Sequence, residues 1–148
     1  MRDSIFIDTN IFVYAFIENK QKSEDQLKHE QSKEFLSNIN VDTQVSISTQ
    51  VCSEYYNALL KNKIDEKIIE SSLKTLMKSV NVLYISEDTI LKTMDIKSRY
   101  KLSYWDSLII STALENACSI LYSEDMQNGL VVENRLKIIN PLEISKRI

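Results

Sequence analysis

Four acidic residues spread over the chain, Asp8, Glu54, Asp106 and Asp125, each lie beside a strongly apolar segment. An ionised carboxylate next to a low-dielectric core persists only where a cation, a helix N-terminus or hydrogen bonds replace the lost hydration. Several carboxylates brought together also repel one another. A hard divalent cation relieves both penalties, because oxygen ligands suit it and its charge offsets theirs. The four acids are therefore candidate ligands of a divalent-metal site. Each also has an ordinary reading. Asp8-Thr9-Asn10 after an apolar run suits a helix N-cap, and for Asp8 taken alone that is the stronger reading. Ser103 to Asp106 has capping-box spacing, with the acid favoured by the helix dipole. Asp125, in Ser123-Glu124-Asp125, reads as a loop acid. Glu54 fits solvent exposure, although Val51, Cys52, Tyr55 and Ala58 leave it only a narrow polar strip shared with Asn57 and Lys61.

The elements that must carry these acids follow from hydrophobic periodicity. Ser4 to Ile7 is a short, continuously apolar run, as in a strand buried on both faces, and Asp8 ends it. Residues 10–17 continue at helical spacing, and Glu24 to Asn38 reads as an amphipathic helix with a wet face. Gln44 to Ser48 predicts a second strand, followed by a helix capped by Ser48 or Thr49 that carries Glu54 in its second turn. Asp65 to Val80 predicts an amphipathic helix, Val82 to Ile85 a strand, and Ser86 the cap of a helix running towards Arg99. The stretch from Leu108 to Ala117 is apolar almost all round, as in a buried central helix. Ser119 to Tyr122 predicts a fourth strand, and Lys137 to Ile139, before Pro141, a fifth at an edge. Short strands alternating with helices indicate βαβ units and a mostly parallel sheet of four to five strands covered on both faces. Ligands of such sheets gather at the carboxyl ends of the strands. Asp8 and Asp125 fall at two such ends, and Glu54 and Asp106, near the starts of following helices, can face the same rim. Four acids on one rim are harder to read as separate accidents.

Composition narrows the alternatives. A chain of 148 residues, 43% hydrophobic, predicts a single compact domain over residues 1–148. No run of eighteen or more apolar residues predicts a membrane span, and Asp3 and Asp8 interrupt any signal-peptide core, so a cytoplasmic protein is expected. Cys52 and Cys118 lack zinc-site spacing and read as buried free thiols. The net charge of −3 argues against a broadly basic nucleic-acid binder, so any polyanion must meet a local patch. One glycine, Gly129, is too few for a P-loop or a dinucleotide fingerprint. The lone histidine, His29, sits in a charged stretch and reads as part of a solvated helix face, which leaves a Ser-His-Asp triad without support.

Taken in order, Phe6-Ile7-Asp8-Thr9-Asn10, Glu54 after the second strand, Tyr104-Trp105-Asp106-Ser107-Leu108-Ile109, Tyr122 to Gly129 and Ile139-Asn140-Pro141-Leu142 resemble the PIN-domain ribonucleases, most closely the VapC-like toxins of type II toxin-antitoxin pairs. The resemblance runs from about residue 4 to residue 142. It departs from the family at Ser107, where a small residue such as alanine is common. It implies an α/β/α sandwich in which Asp8, Glu54, Asp106 and Asp125 hold one or two Mg2+ or Mn2+ ions, with Asp8 and Asp106 in the most direct roles. Thr9 and Ser123 would be hydroxyl partners of the acids, and Asn10 an amide fixing the strand-to-helix turn. Bound divalent ions supply an activated water and charge stabilisation for phosphodiester hydrolysis without a histidine.

Lys97, Arg99 and Lys101, interleaved with Tyr100 and Tyr104, are candidates to guide an RNA backbone, against the somewhat weightier reading of a solvated helix end. The resemblance further implies a cognate antitoxin and a homodimer; Phe12, Tyr14, Phe16 and Ile17 offer more apolar bulk than one helix face buries, so some are interface candidates, against the weightier reading for most of them of burial in the domain's own core. Two rivals stand beside this reading. A haloacid-dehalogenase or receiver-type phosphotransfer fold also ends its first strand in Asp, but the dehalogenase signature wants a second aspartate where Asn10 stands. A non-catalytic PIN-like module that docks RNA or protein commonly lacks one or more of the acids, all four of which are present here.

Overall fold

A computed structural model describes residues 3–142. The domain expected over residues 1–148 therefore extends at both ends beyond the described residues. Ser4–Ile7 forms β1, followed by α1 (Thr9–Phe16), α2 (Ser23–Ser37), β2 (Gln44–Ser48), α3 (Thr49–Lys61), α4 (Glu66–Ser79) and β3 (Asn81–Leu83). Then come α5 (Glu87–Tyr100), α6 (Tyr104–Glu115), β4 (Ile120–Tyr122), β5 (Val131–Val132) and β6 (Leu136–Ile139). The strands make one six-stranded sheet in the order β3-β2-β1-β4-β6-β5. Every pairing is parallel except β5 with β6. Phe6 lies opposite Ser46 on one side and Leu121 on the other, so the apolar run of β1 is central and has no solvated face.

Chain order and sheet order together arrange the helices. From β1 the sheet grows through β2 to β3, and the chain then returns past β1 to build β4. Right-handed crossovers running in opposite directions put their helices on opposite faces. Accordingly α1, α2, α3 and α4 pack with one another, while α5 packs on α6. Between the layers lies a core that includes Ile7, Ile11, Ile47, Ile109, Ile110, Leu121 and Ile138, all essentially without solvent contact. The apolar helix expected from Leu108 is α6. Its hydroxyl residues Ser107, Ser111 and Thr112 are buried, and each donates to the carbonyl four residues earlier, so none is left unpaired in the core. Cys52 and Cys118 are buried free thiols.

Three expectations are corrected. The sheet has six strands rather than four to five, because Val131–Val132 adds β5 through a three-residue connection, Glu133-Asn134-Arg135. Glu133 and Asn134 have positive φ, 52° and 53°, the backbone of a tight hairpin that ordinarily draws glycine. Here the Glu133 carboxylate is held by Lys92, Arg99 and Arg135, and its amide donates to the Tyr100 hydroxyl. With β5 outside it, β6 is an interior strand and not an edge. His29 is buried, not solvated: α2 turns it against α1, where its Nδ1 donates to the Tyr14 carbonyl at 2.8 Å.

Candidate metal centre

The order of strands reverses between β1 and β4, which is where open parallel sheets form a crevice at their carboxyl edge. Asp8 stands at the end of β1 on that side. Its amide continues the ladder by donating to the Tyr122 carbonyl at 2.9 Å, and its backbone then bends into α1. Asp8 Oδ1 accepts from the Thr9 amide at 2.7 Å, and Oδ2 from the Ser123 hydroxyl at 2.9 Å. Burial pushes its carboxyl up to about 6, against the pull of those two donors and with the charges of Glu54 and Asp106 adding to the rise. Asp8 is thus held in place as an acceptor while its charge is left uncompensated.

The other three acids arrive from separate elements. α3 starts at Ser48, whose hydroxyl accepts from the Val51 amide, and presents Glu54 to the Thr9 hydroxyl at 2.7 Å and to the Gln50 amide at 3.3 Å. α6 starts at Ser103, whose hydroxyl accepts from the Asp106 amide at 3.1 Å. The capping box read from the sequence forms in this half, and the Asp106 side chain points into the pocket. Asp125, on the loop after β4, accepts from the Asn10 amide. Its carboxyl is pushed up to about 7 by burial, by its hydrogen bond and charge contact with Glu124, and by Asp8 and Asp106. Burial alone would raise Glu124 too, but hydrogen bonds with Asp125 and Lys28 hold it below the usual range.

All four acids, with Thr9 and Asn10, line one pocket of about 250 Å³. Ser123 lies beneath it, fully buried against Asp8. Gln50, Asn57, Ala58, Lys61, Trp105 and Ile109 complete the wall. Lys97, Arg99, Lys101 and Tyr104 are not among the residues that line it. Arg99 is instead engaged by Asp95 and Glu133 and lies against the Tyr100 ring. Tyr104 packs edge-on against Trp105, with centroids 5.2 Å apart. Gln50 and Trp105 were not singled out from the sequence, since their phase on α3 and α6 relative to the pocket depends on packing. The exposed tryptophan beside Asp106 was the available signal.

The donor set fits a hard divalent cation: carboxylate oxygens only, mutually repelling, two of them shifted towards neutrality for want of a counter-charge. Among the described residues no three ligating side chains already close round a single point.

The PIN domain family model matches residues 5–127. No curated protein matches the sequence significantly. Among solved structures, a toxin-antitoxin complex from Klebsiella pneumoniae is similar at 20% identity and TM-score 0.67, covering 93% of this chain and 97% of that one. VapC20 from Mycobacterium tuberculosis, a Sarcin-Ricin loop cleaving toxin, is similar at 18% identity and TM-score 0.64, covering 82% and 89%. VapBC2 from Rickettsia felis, bound to a DNA fragment from its promoter, is similar at 18% identity and TM-score 0.62, covering 93% and 99%.

Proposed function

The chain belongs to the PIN-domain family, and from that premise we propose that it is a metal-dependent endoribonuclease and the toxin of a toxin-antitoxin pair. The observation that carries the proposal is the meeting of four acids, from positions as far apart as 8 and 125, in one pocket at the sheet's switch point. Asp8 and Asp106 would hold Mg2+ or Mn2+ most directly, with Glu54 and Asp125 completing the set for one or two ions. Such ions, when bound, supply an activated water and charge stabilisation for phosphodiester hydrolysis.

The protein's own contribution is orientation. Ser123 and the Thr9 amide fix the two oxygens of Asp8, the Thr9 hydroxyl fixes Glu54, and Asn10 fixes Asp125. Preset ligands of this kind lower the reorganisation needed when ion and substrate arrive. Lys61 is the cationic side chain in the pocket wall and the proposed contact for an RNA phosphate. In the family's context we further propose an antitoxin partner and a homodimer, with Phe16, exposed at the end of α1, among the interface residues.

The test is cleavage of defined RNAs by purified protein with Mg2+, Mn2+ or chelator. Cleavage should require the metal, and Asp8→Asn should lower it by at least about 100-fold while the circular dichroism spectrum stays unchanged. Full activity in that variant, or in excess chelator, would refute the assignment. Calorimetry showing no ion binding at millimolar Mg2+ would favour the docking module instead.

A further inference from the structure

Beside the acid pocket lies a second recess of about 490 Å³, floored by Ile85 and Leu108 and edged by Thr49 and Ser53. The two cavities share a wall made by Gln50, Glu54 and Trp105. Trp105 is 62% exposed although it lies in the first turn of α6, directly before Asp106. A large indole left in water is costly and wants a partner. Its ring is nevertheless held, because Tyr104 packs against it edge-on at 5.2 Å and its carbonyl accepts from the Gln50 amide at 3.2 Å. Gln50, which lines both cavities, is itself buried, and its Oε1 meets no donor among the described residues.

We propose that this recess is a nucleobase site, in which the base flanking the scissile phosphate stacks on Trp105 while the phosphate lies over the acids. The inference rests on the ribonuclease reading above and names the part of the substrate taken by the adjoining recess. A planar ring with apolar faces and polar edges suits an indole wall, an Ile85-Leu108 floor and a lone amide acceptor. A strand whose base is splayed out reaches both cavities across their common wall, whereas a paired base inside a duplex does not. Trp105 is accordingly a specificity-determining residue, and purines, with the larger stacking face, are the favoured occupants.

Trp105 is the chain's single tryptophan, so its fluorescence reports this site alone. The protein is titrated in calcium buffer with octamers of adenosine, of uridine, and of abasic ribose phosphate. Saturable quenching by the adenosine octamer is expected, weaker quenching by uridine, and none by the abasic strand. In Mg2+, Trp105→Ala should raise KM for single-stranded RNA by roughly 5- to 150-fold, the range for one lost base stack, with Trp105→Phe recovering part of the loss. Equal quenching by the abasic strand, or an unchanged KM in a folded Trp105→Ala variant that still cleaves RNA in Mg2+, overturns the base site and leaves the nuclease reading standing. A folded wild-type chain that neither binds nor cuts any of these RNAs overturns both.

Discussion

At the scale of single residues, Asp8 carries a conflict between where the fold puts it and the charge it must bear. Its carboxyl titrates at 3.8 in an unfolded chain and at about 6 in the folded one. An acid raised in this way binds more protons folded than unfolded, so it weakens the fold as pH rises. The penalty is absent below the unfolded value and complete above the folded one. Between pH 4 and pH 7.5, in chelator, the wild type should lose about 2 kcal/mol more stability than Asp8→Asn does. Urea denaturation at a series of pH values measures this, and parallel profiles for the two proteins would show that Asp8 is not under electrostatic stress. The site residues with a fixed relation to a strand end were legible in the sequence for this reason. A carboxylate that closes a doubly buried strand, as Asp8 does, has few places to go, and Asp125 follows on the loop three residues after the end of β4. Gln50 and Trp105 were not legible, because which face a helical residue shows to a pocket is settled by how α3 and α6 dock.

At the scale of elements, α2 and the loop after β4 are joined by one ion pair. Lys28 Nζ lies 2.6 Å from Glu124 Oε1, with the two side chains only 20% and 14% exposed. Glu124 is the neighbour that shares a hydrogen bond with Asp125, so this pair secures the loop bearing the fourth acid. Lys28→Ala should cost about 2 kcal/mol, less than a fully buried pair because some solvent reaches both ends. Chemical denaturation at pH 7 checks the value, and a change near zero would reduce the pair to a surface contact. Buried runs such as β1 and the all-round apolar α6 were readable, since their burial is written in consecutive residues. The elements misread were those whose signal comes from elsewhere in the fold. The Glu133-Asn134-Arg135 connection has no glycine and is held at Glu133 by Lys92 and Arg99 from outside the hairpin and by Arg135 within it. His29 sits among charges in sequence and yet faces α1 in space.

Over the whole molecule, an ion held at the proposed metal site would be thermodynamically linked to the fold. Any ion that binds the folded chain and not the unfolded one stabilises it by mass action, by about 2.7 kcal/mol at a concentration 100 times the dissociation constant. The melting temperature should therefore climb with the logarithm of Mg2+ concentration, fall back in chelator, and respond weakly in Asp8→Asn. A wild-type melting temperature indifferent to millimolar Mg2+ would count against a metal centre built from these acids. The strand order has a further consequence for synthesis on the ribosome. β1 finds one neighbour, β2, early, but its other neighbour is β4, and Asp8 reaches Ser123 and meets Asp125 across the pocket only through that pairing. A nascent chain that ends short of residue 123 holds three of the acids without the fourth, and without the hydroxyl that aims the first. The pocket is therefore complete only once β4 and the loop after it have been synthesised.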